Sequence, residues 1–144
     1  MHILTSPSLS PLPADQESAL QQLGQSVLAA HPVSGSIEIV CTDDAQIRRL
    51  NQTYRGKDRA TDVLSFNLSD DYHACGEIYI SLETARRQAD SLAVPFDQEL
   101  GRLLVHGLLH LAGYDHQTET ELARMERLTD RFLQEAGLLP AATA

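Results

Sequence analysis

Residues 96–116 read FDQELGRLLVHGLLHLAGYDH. Leu100, Leu103, Leu104, Gly107, Leu108 and Leu111 recur at three- and four-residue steps, which predicts a deeply packed helix over 96–112. Pro95 precedes it, and Gly113 suits the left-handed residue that ends it. His106 and His110 lie one turn apart on this helix, so both rings leave the same face. An imidazole set into a leucine surface must be either partnered or used, because burying it without a partner is costly.

His116 follows the Gly113 turn and can swing back to supply a third ring nitrogen. Three neutral imidazoles suit a divalent ion, and they leave the fourth position of zinc open, as catalytic sites do and closed structural sites do not. Water in that position ionises near pH ~7. One Zn2+ per chain, held by His106, His110 and His116, is the expectation. The spacing resembles the zinc-protease pattern HExxHxxGxxH, with one departure: Gly107 stands where those enzymes carry the glutamate that acts as general base. The likeness therefore supports a metal and argues against proteolysis.

The remaining pattern predicts an α+β domain with helices on a small sheet, spanning 1–144 as a single unit. Residues 1–13 read as an irregular, proline-punctuated entry. A helix is expected over 15–30, with Asp15 as its cap and His31-Pro32 as its stop. Ile37, Ile39 and Cys41 alternate as a strand does, and Thr42-Asp43-Asp44 opens a helix with Ile47 and Leu50 as its buried stripe. Strands are expected at 61–67 and 76–81, joined by the polar loop LSDDYHAC. Helices follow over 82–93, over 96–112, and after the capping pattern Thr118-x-x-Glu121, the last with Leu122, Met125, Leu128 and Phe132 as its stripe.

A chain with 42 % hydrophobic and 22 % charged residues has an ordinary soluble composition, and no apolar run has the length of a membrane span. The N-terminus has no basic, apolar leader, and two cysteines, Cys41 and Cys75, are too few for a disulfide scaffold. A cytoplasmic protein with buried reduced thiols, and no membrane partner, is expected. The net charge of −9 disfavours a general nucleic-acid binder. Yet Arg48, Arg49, Arg55, Lys57 and Arg59 put five of the eleven basic residues within twelve positions, enough to bind an anion locally. Arg55, Lys57 and Arg59 are expected on a loop just before a strand, where arginine's planar fork suits phosphate.

HGLLHLAGYDH is similar to the HGxLHLxGYDH signature of the YbeY family of bacterial ribosomal-RNA maturation endoribonucleases. NQTYRGKDRATDVLSF resembles that family's NxxYRxKDxPTDVLSFP segment, and GEIYIS its GDIxIS strand. The three motifs come in family order, and the likeness runs from about Ser36 to Leu133. It implies a zincin-like fold with a small mixed sheet and a metal site on a core helix. It assigns His106, His110 and His116 as zinc ligands and Arg55 as the functional arginine. The implied activity is metal-dependent cleavage of single-stranded RNA, in 16S ribosomal RNA 3′ end maturation and ribosome quality control, with the small ribosomal subunit as partner and no DNA substrate. Ala60 and Asn67 replace family prolines, which bears on loop shape, and Glu77 replaces an aspartate while keeping its charge.

Asp62, Glu77 and Asp115 are each candidates for a general base, or none is needed. The nucleophile is either water or RNA's own 2′-hydroxyl. Two other readings compete: a metal-dependent hydrolase of a small phosphoester or amide with a narrow closed pocket, and a ribosome-associated binding factor with a structural metal. The absence of cysteine from the histidine cluster disfavours the last, since structural zinc favours thiolates.

Overall fold

The computed structural model describes residues 1–140. Its elements run β1 (His2–Thr5), α1 (Ala14–Ala30), β2 (Ser36–Thr42), α2 (Asp44–Arg55), β3 (Val63–Asn67), β4 (Cys75–Ser81), α3 (Leu82–Leu92), α4 (Phe96–Leu111) and α5 (Glu119–Glu135). Residues 141–144 of the expected domain lie outside the described residues.

The four strands form one mixed sheet in the order β1-β2-β4-β3. β2 pairs in parallel with both β1 and β4, and β3 runs antiparallel to β4 along one edge. α4 is the hub. Leu100, Leu103, Leu104, Val105, Leu108 and Leu109 are wholly shielded from solvent, between the sheet and helices α1, α3 and α5. The apolar spacing of the sequence is the cause: leucines at three- and four-residue steps clothe nearly the whole helix. The described helices include none long and apolar enough to cross a membrane.

Several boundaries follow from local chemistry. The Asp43 carboxylate accepts from the Gln46 backbone N–H at 2.9 Å and caps α2, and Gly56 ends that helix at φ 68°. Ser81 caps α3 by accepting from Thr84 N at 3.1 Å. The Thr118 hydroxyl accepts from Glu121 N at 3.1 Å, one half of the capping box.

The structure departs from expectation in several elements. Residues 1–13 are not irregular throughout, because His2–Thr5 adds a parallel edge strand with Ile3 opposite Ile39. Pro13, not Asp15, precedes α1, and no side chain caps it. On α2, Leu50 is only half-buried and Asn51 is buried in its place. On α5, Leu122 is 42 % exposed, and Thr129 and Leu133 complete the inner stripe. Of the two free thiols, Cys41 is buried and Cys75 is half-buried.

Candidate metal centre

His106 and His110 leave α4 side by side, with ring centroids 4.6 Å apart and Nε2 atoms 3.0 Å apart. Beyond them the chain reverses. Gly113 takes φ 103°, which only glycine adopts freely, and its N–H donates to the His110 carbonyl at 3.0 Å. Tyr114 N–H donates to the Leu109 carbonyl at 3.0 Å, closing the helix end. The reversal brings the His116 ring to 5.4 Å from His106 and 4.8 Å from His110. A second tie holds the turn: the Tyr114 hydroxyl meets His31 Nδ1 at 3.2 Å, with the rings edge to face at 5.2 Å. His31 is the residue that ends α1, so the return arm is pinned to the first helix of the chain.

The donor set fits a divalent cation. Each histidine offers a ring nitrogen within 4.8 Å of the others. Tetrahedral zinc with Zn–N of about 2.0–2.1 Å sets its nitrogens ~3.3 Å apart. The 3.0 Å between His106 and His110 is close to that. The protonation state agrees as well. Burial, then the neighbouring His110 and His116, pushes His106 down to about 4. His110 is lowered too, by burial first and by His116 next. Both rings are therefore neutral at physiological pH, the form that ligates metal.

The triad opens into a groove of about 620 Å³, which Arg55, Lys57, Arg59, Asp62 and Ser65 also line. Arg55 is not a loop residue as expected. It is the last residue of α2, and only Lys57 and Arg59 lie on the loop that follows. The Arg55 guanidinium reaches the free edge of β3, where Nη2 donates to the Ser65 carbonyl at 2.9 Å. Asn51 shapes the basic loop: its Nδ2 donates to the Arg59 carbonyl at 2.9 Å, and its carbonyl accepts from Lys57 N at 3.2 Å. Asn51 lies in the motif NQTYR but shows no chemistry of its own in sequence; its burial at a helix end is the signal. Arg48 is already paired with Asp58 at 2.7 Å, so it is not one of the cations facing the groove.

The three candidate acids separate. Asp62 lines the histidine groove, and its carboxylate accepts from Val63 N at 2.8 Å and from Gln88 Nε2 at 3.3 Å. Behind it the buried Glu99 accepts from Gln88 at 2.8 Å and from Arg102, which makes Asp62 the open end of a polar cluster reaching into the core. Glu77 is on the other side of the sheet: its neighbour Ile78 faces α4, and its carboxylate accepts from the Tyr79 hydroxyl at 2.6 Å. The Asp115 carboxylate accepts from His116 N at 2.7 Å and lines a separate cavity beside His31 and Arg124.

Three histidines, two on the core helix of an α+β fold and the third on the turn beyond it, open into a basic groove, the arrangement of a zincin-like protein. The family model described as Endoribonuclease YbeY matches residues 10–137. The chain is 43 % identical over 117 residues to Endoribonuclease YbeY of Rhodopseudomonas palustris strain BisA53, covering 76 % of this chain and 68 % of that one. It is 42 % identical over 123 residues to Endoribonuclease YbeY of Desulfitobacterium hafniense strain Y51, covering 78 % of each. The solution structure of TM1509 from Thermotoga maritima shares the fold, with a TM-score of 0.63, 24 % identity and full coverage of both chains. This chain belongs to the Endoribonuclease YbeY family.

Proposed function

We infer that this chain is a zinc-dependent, single-strand-specific endoribonuclease of the cytoplasm, acting on 16S ribosomal RNA at its 3′ end and in ribosome quality control. The observation that carries the reading is the shared groove: three imidazoles and the Arg55 guanidinium face one open channel edged by Lys57 and Arg59. His106, His110 and His116 are the residues that hold the ion. Zinc bound there supplies Lewis acidity and makes water acidic near neutral pH. Arg55 neutralises the charge that develops on the phosphate. Lys57 and Arg59 attract the flanking phosphates of an otherwise repelled polyanion. Asp62, the acid on the groove wall, takes the proton from the attacking oxygen, whether that oxygen belongs to water or to a 2′-hydroxyl. The open, cationic channel favours a polymer over a small enclosed phosphoester.

The test is cleavage of a single-stranded RNA oligonucleotide, the same sequence as duplex RNA, and its single-stranded DNA counterpart. Each is incubated with the purified protein, then with chelator, then with zinc restored. Cutting of single-stranded RNA alone, lost with chelator and regained with zinc, is expected. Undiminished cutting in chelator, or none in zinc, overturns the reading.

A further inference from the structure

The flank of Arg55 that faces away from the histidines carries aromatic rings. Its guanidinium carbon lies 5.4 Å from the centroid of Phe66, on the edge strand β3. Tyr54, the residue before Arg55 on α2, stands 5.4 Å from the same ring at 59°. Tyr79 closes the strip from below, edge-on to Phe66 at 6.0 Å. Alternation along β3 sets this strip on the sheet face opposite α4, because the Ser65 side chain turns inward to α4 and its neighbour Phe66 turns the other way. Arg55 thus sits on the rim between two surfaces, the histidine groove on one side and the aromatic strip on the other.

Tyr54 is 67 % exposed, as other large side chains on this surface are, among them Tyr72 and Leu92. An isolated surface tyrosine needs no explanation. This one belongs to a three-ring cluster with Phe66 and Tyr79, and it adjoins Arg55 on the rim of the basic groove, in a chain with a net charge of −9. Aromatic faces beside arginine are what sequence-tolerant proteins use to hold unpaired bases, through stacking and through attraction of the cation to the ring.

We propose that Tyr54 and Phe66 form a base-stacking subsite for the nucleotide adjoining the phosphate that Arg55 engages. The inference rests on the endoribonuclease reading and deepens it. The strand crosses the free edge of β3 with its phosphate in the groove, and the neighbouring base folds over that edge onto the rings. Such a path requires an unpaired base, so the subsite itself selects single strands. Hydrogen-bond readout plays no part in it, and any base with an accessible face is accepted.

The experiment uses short single-stranded RNAs with 2-aminopurine at successive positions, mixed in a stopped flow with wild-type protein and with Tyr54→Ala, Tyr54→Trp and Phe66→Leu. One position is expected to lose fluorescence on binding to wild type, as a stacked base does. Tyr54→Ala should weaken binding about tenfold and restore that fluorescence. Tyr54→Trp should keep both the affinity and the quenching, and Phe66→Leu, which retains the packing of a half-buried side chain, should lose most of the quenching. An abasic site at the quenched position should make wild type and Tyr54→Ala bind alike. Unchanged binding and quenching by Tyr54→Ala, or duplex RNA bound as tightly as single-stranded RNA, overturns the subsite while leaving the nuclease reading intact. Wild-type protein that binds no RNA overturns both.

Discussion

The Ser65 hydroxyl donates to the Gly107 carbonyl at 3.2 Å, fastening the edge strand to α4 one residue after its first histidine. A methyl group at Gly107 would stand 2.8 Å from Ile78 Cγ2 and 3.1 Å from Ser65 Oγ. The glycine in HGLLH is therefore more than the loss of a protease's glutamate. It is where helix and sheet come too close for any side chain, and that closeness sets the height of both helical histidines above β3.

Gly107→Ala tests this balance. Alanine raises helix propensity by up to about 1 kcal/mol, but overpacking a closed core costs about 1–3 kcal/mol. Ile78 is fully buried and cannot move aside freely. A lower melting temperature is expected for Gly107→Ala, measured by thermal melts beside wild type. Gly107→Glu should yield no peptidase activity on casein, since its carboxylate would point into the sheet and not into the groove.

Zinc content follows the triad. Elemental analysis should find about one zinc per wild-type chain and far less in His110→Ala, because two imidazoles cannot hold what three do. Equal zinc in both proteins would remove the assignment.

The acid sensitivity of the metal-free protein has a definite sign. His106 titrates at about 4 when folded, below its ordinary 6.5. Between those values the unfolded chain binds more protons, so stability falls as pH drops from about 6.5 toward 4. Thermal melts of chelated wild type and His106→Asn across that window should converge at low pH as wild type loses its advantage. Parallel curves would mean that burial does not hold the ring neutral.

Arg55 is exposed and makes one hydrogen bond to an edge carbonyl that water can also serve. Its removal should cost little stability. In single-turnover cleavage of single-stranded RNA, Arg55→Ala should be slower by roughly a hundredfold, the scale of losing one electrostatic stabiliser. Arg55→Lys should recover only part of the rate, since a point charge lacks the two-pronged contact. Lys57→Ala and Arg59→Ala should chiefly weaken binding and flatten its salt dependence. A wild-type rate in Arg55→Ala would leave the metal to act alone.

Long periodic segments were readable from the sequence, and so was the triad. α4 needs only leucine spacing, and the histidine spacing plus Gly113 is enough to bring three imidazoles together without knowledge of any distant residue. What escaped depends on partners far along the chain. β1 is four residues among prolines, and it becomes a strand only because β2, more than thirty residues later, offers it an edge. Asn51 looks like any polar helix residue until the loop at Lys57 and Arg59 folds back over it. Asp62 and Glu77 are indistinguishable as acids in sequence. The pleat and the sheet's two faces separate them.

Two of the three imidazoles stand on a helix whose core side is sealed, and the third rides on a turn held by the contact of Tyr114 with His31. Grip and release are therefore assigned to different parts of the chain. If the three rings hold an ion as proposed, the expected route of entry or escape is a swing of the arm beyond Gly113, with α4 intact. Affinity for such an ion would then depend on all three rings, and its rate of exchange on a phenol and an imidazole outside the donor set. A variant such as Tyr114→Phe can therefore shorten the residence time of the metal while every ligand remains in place.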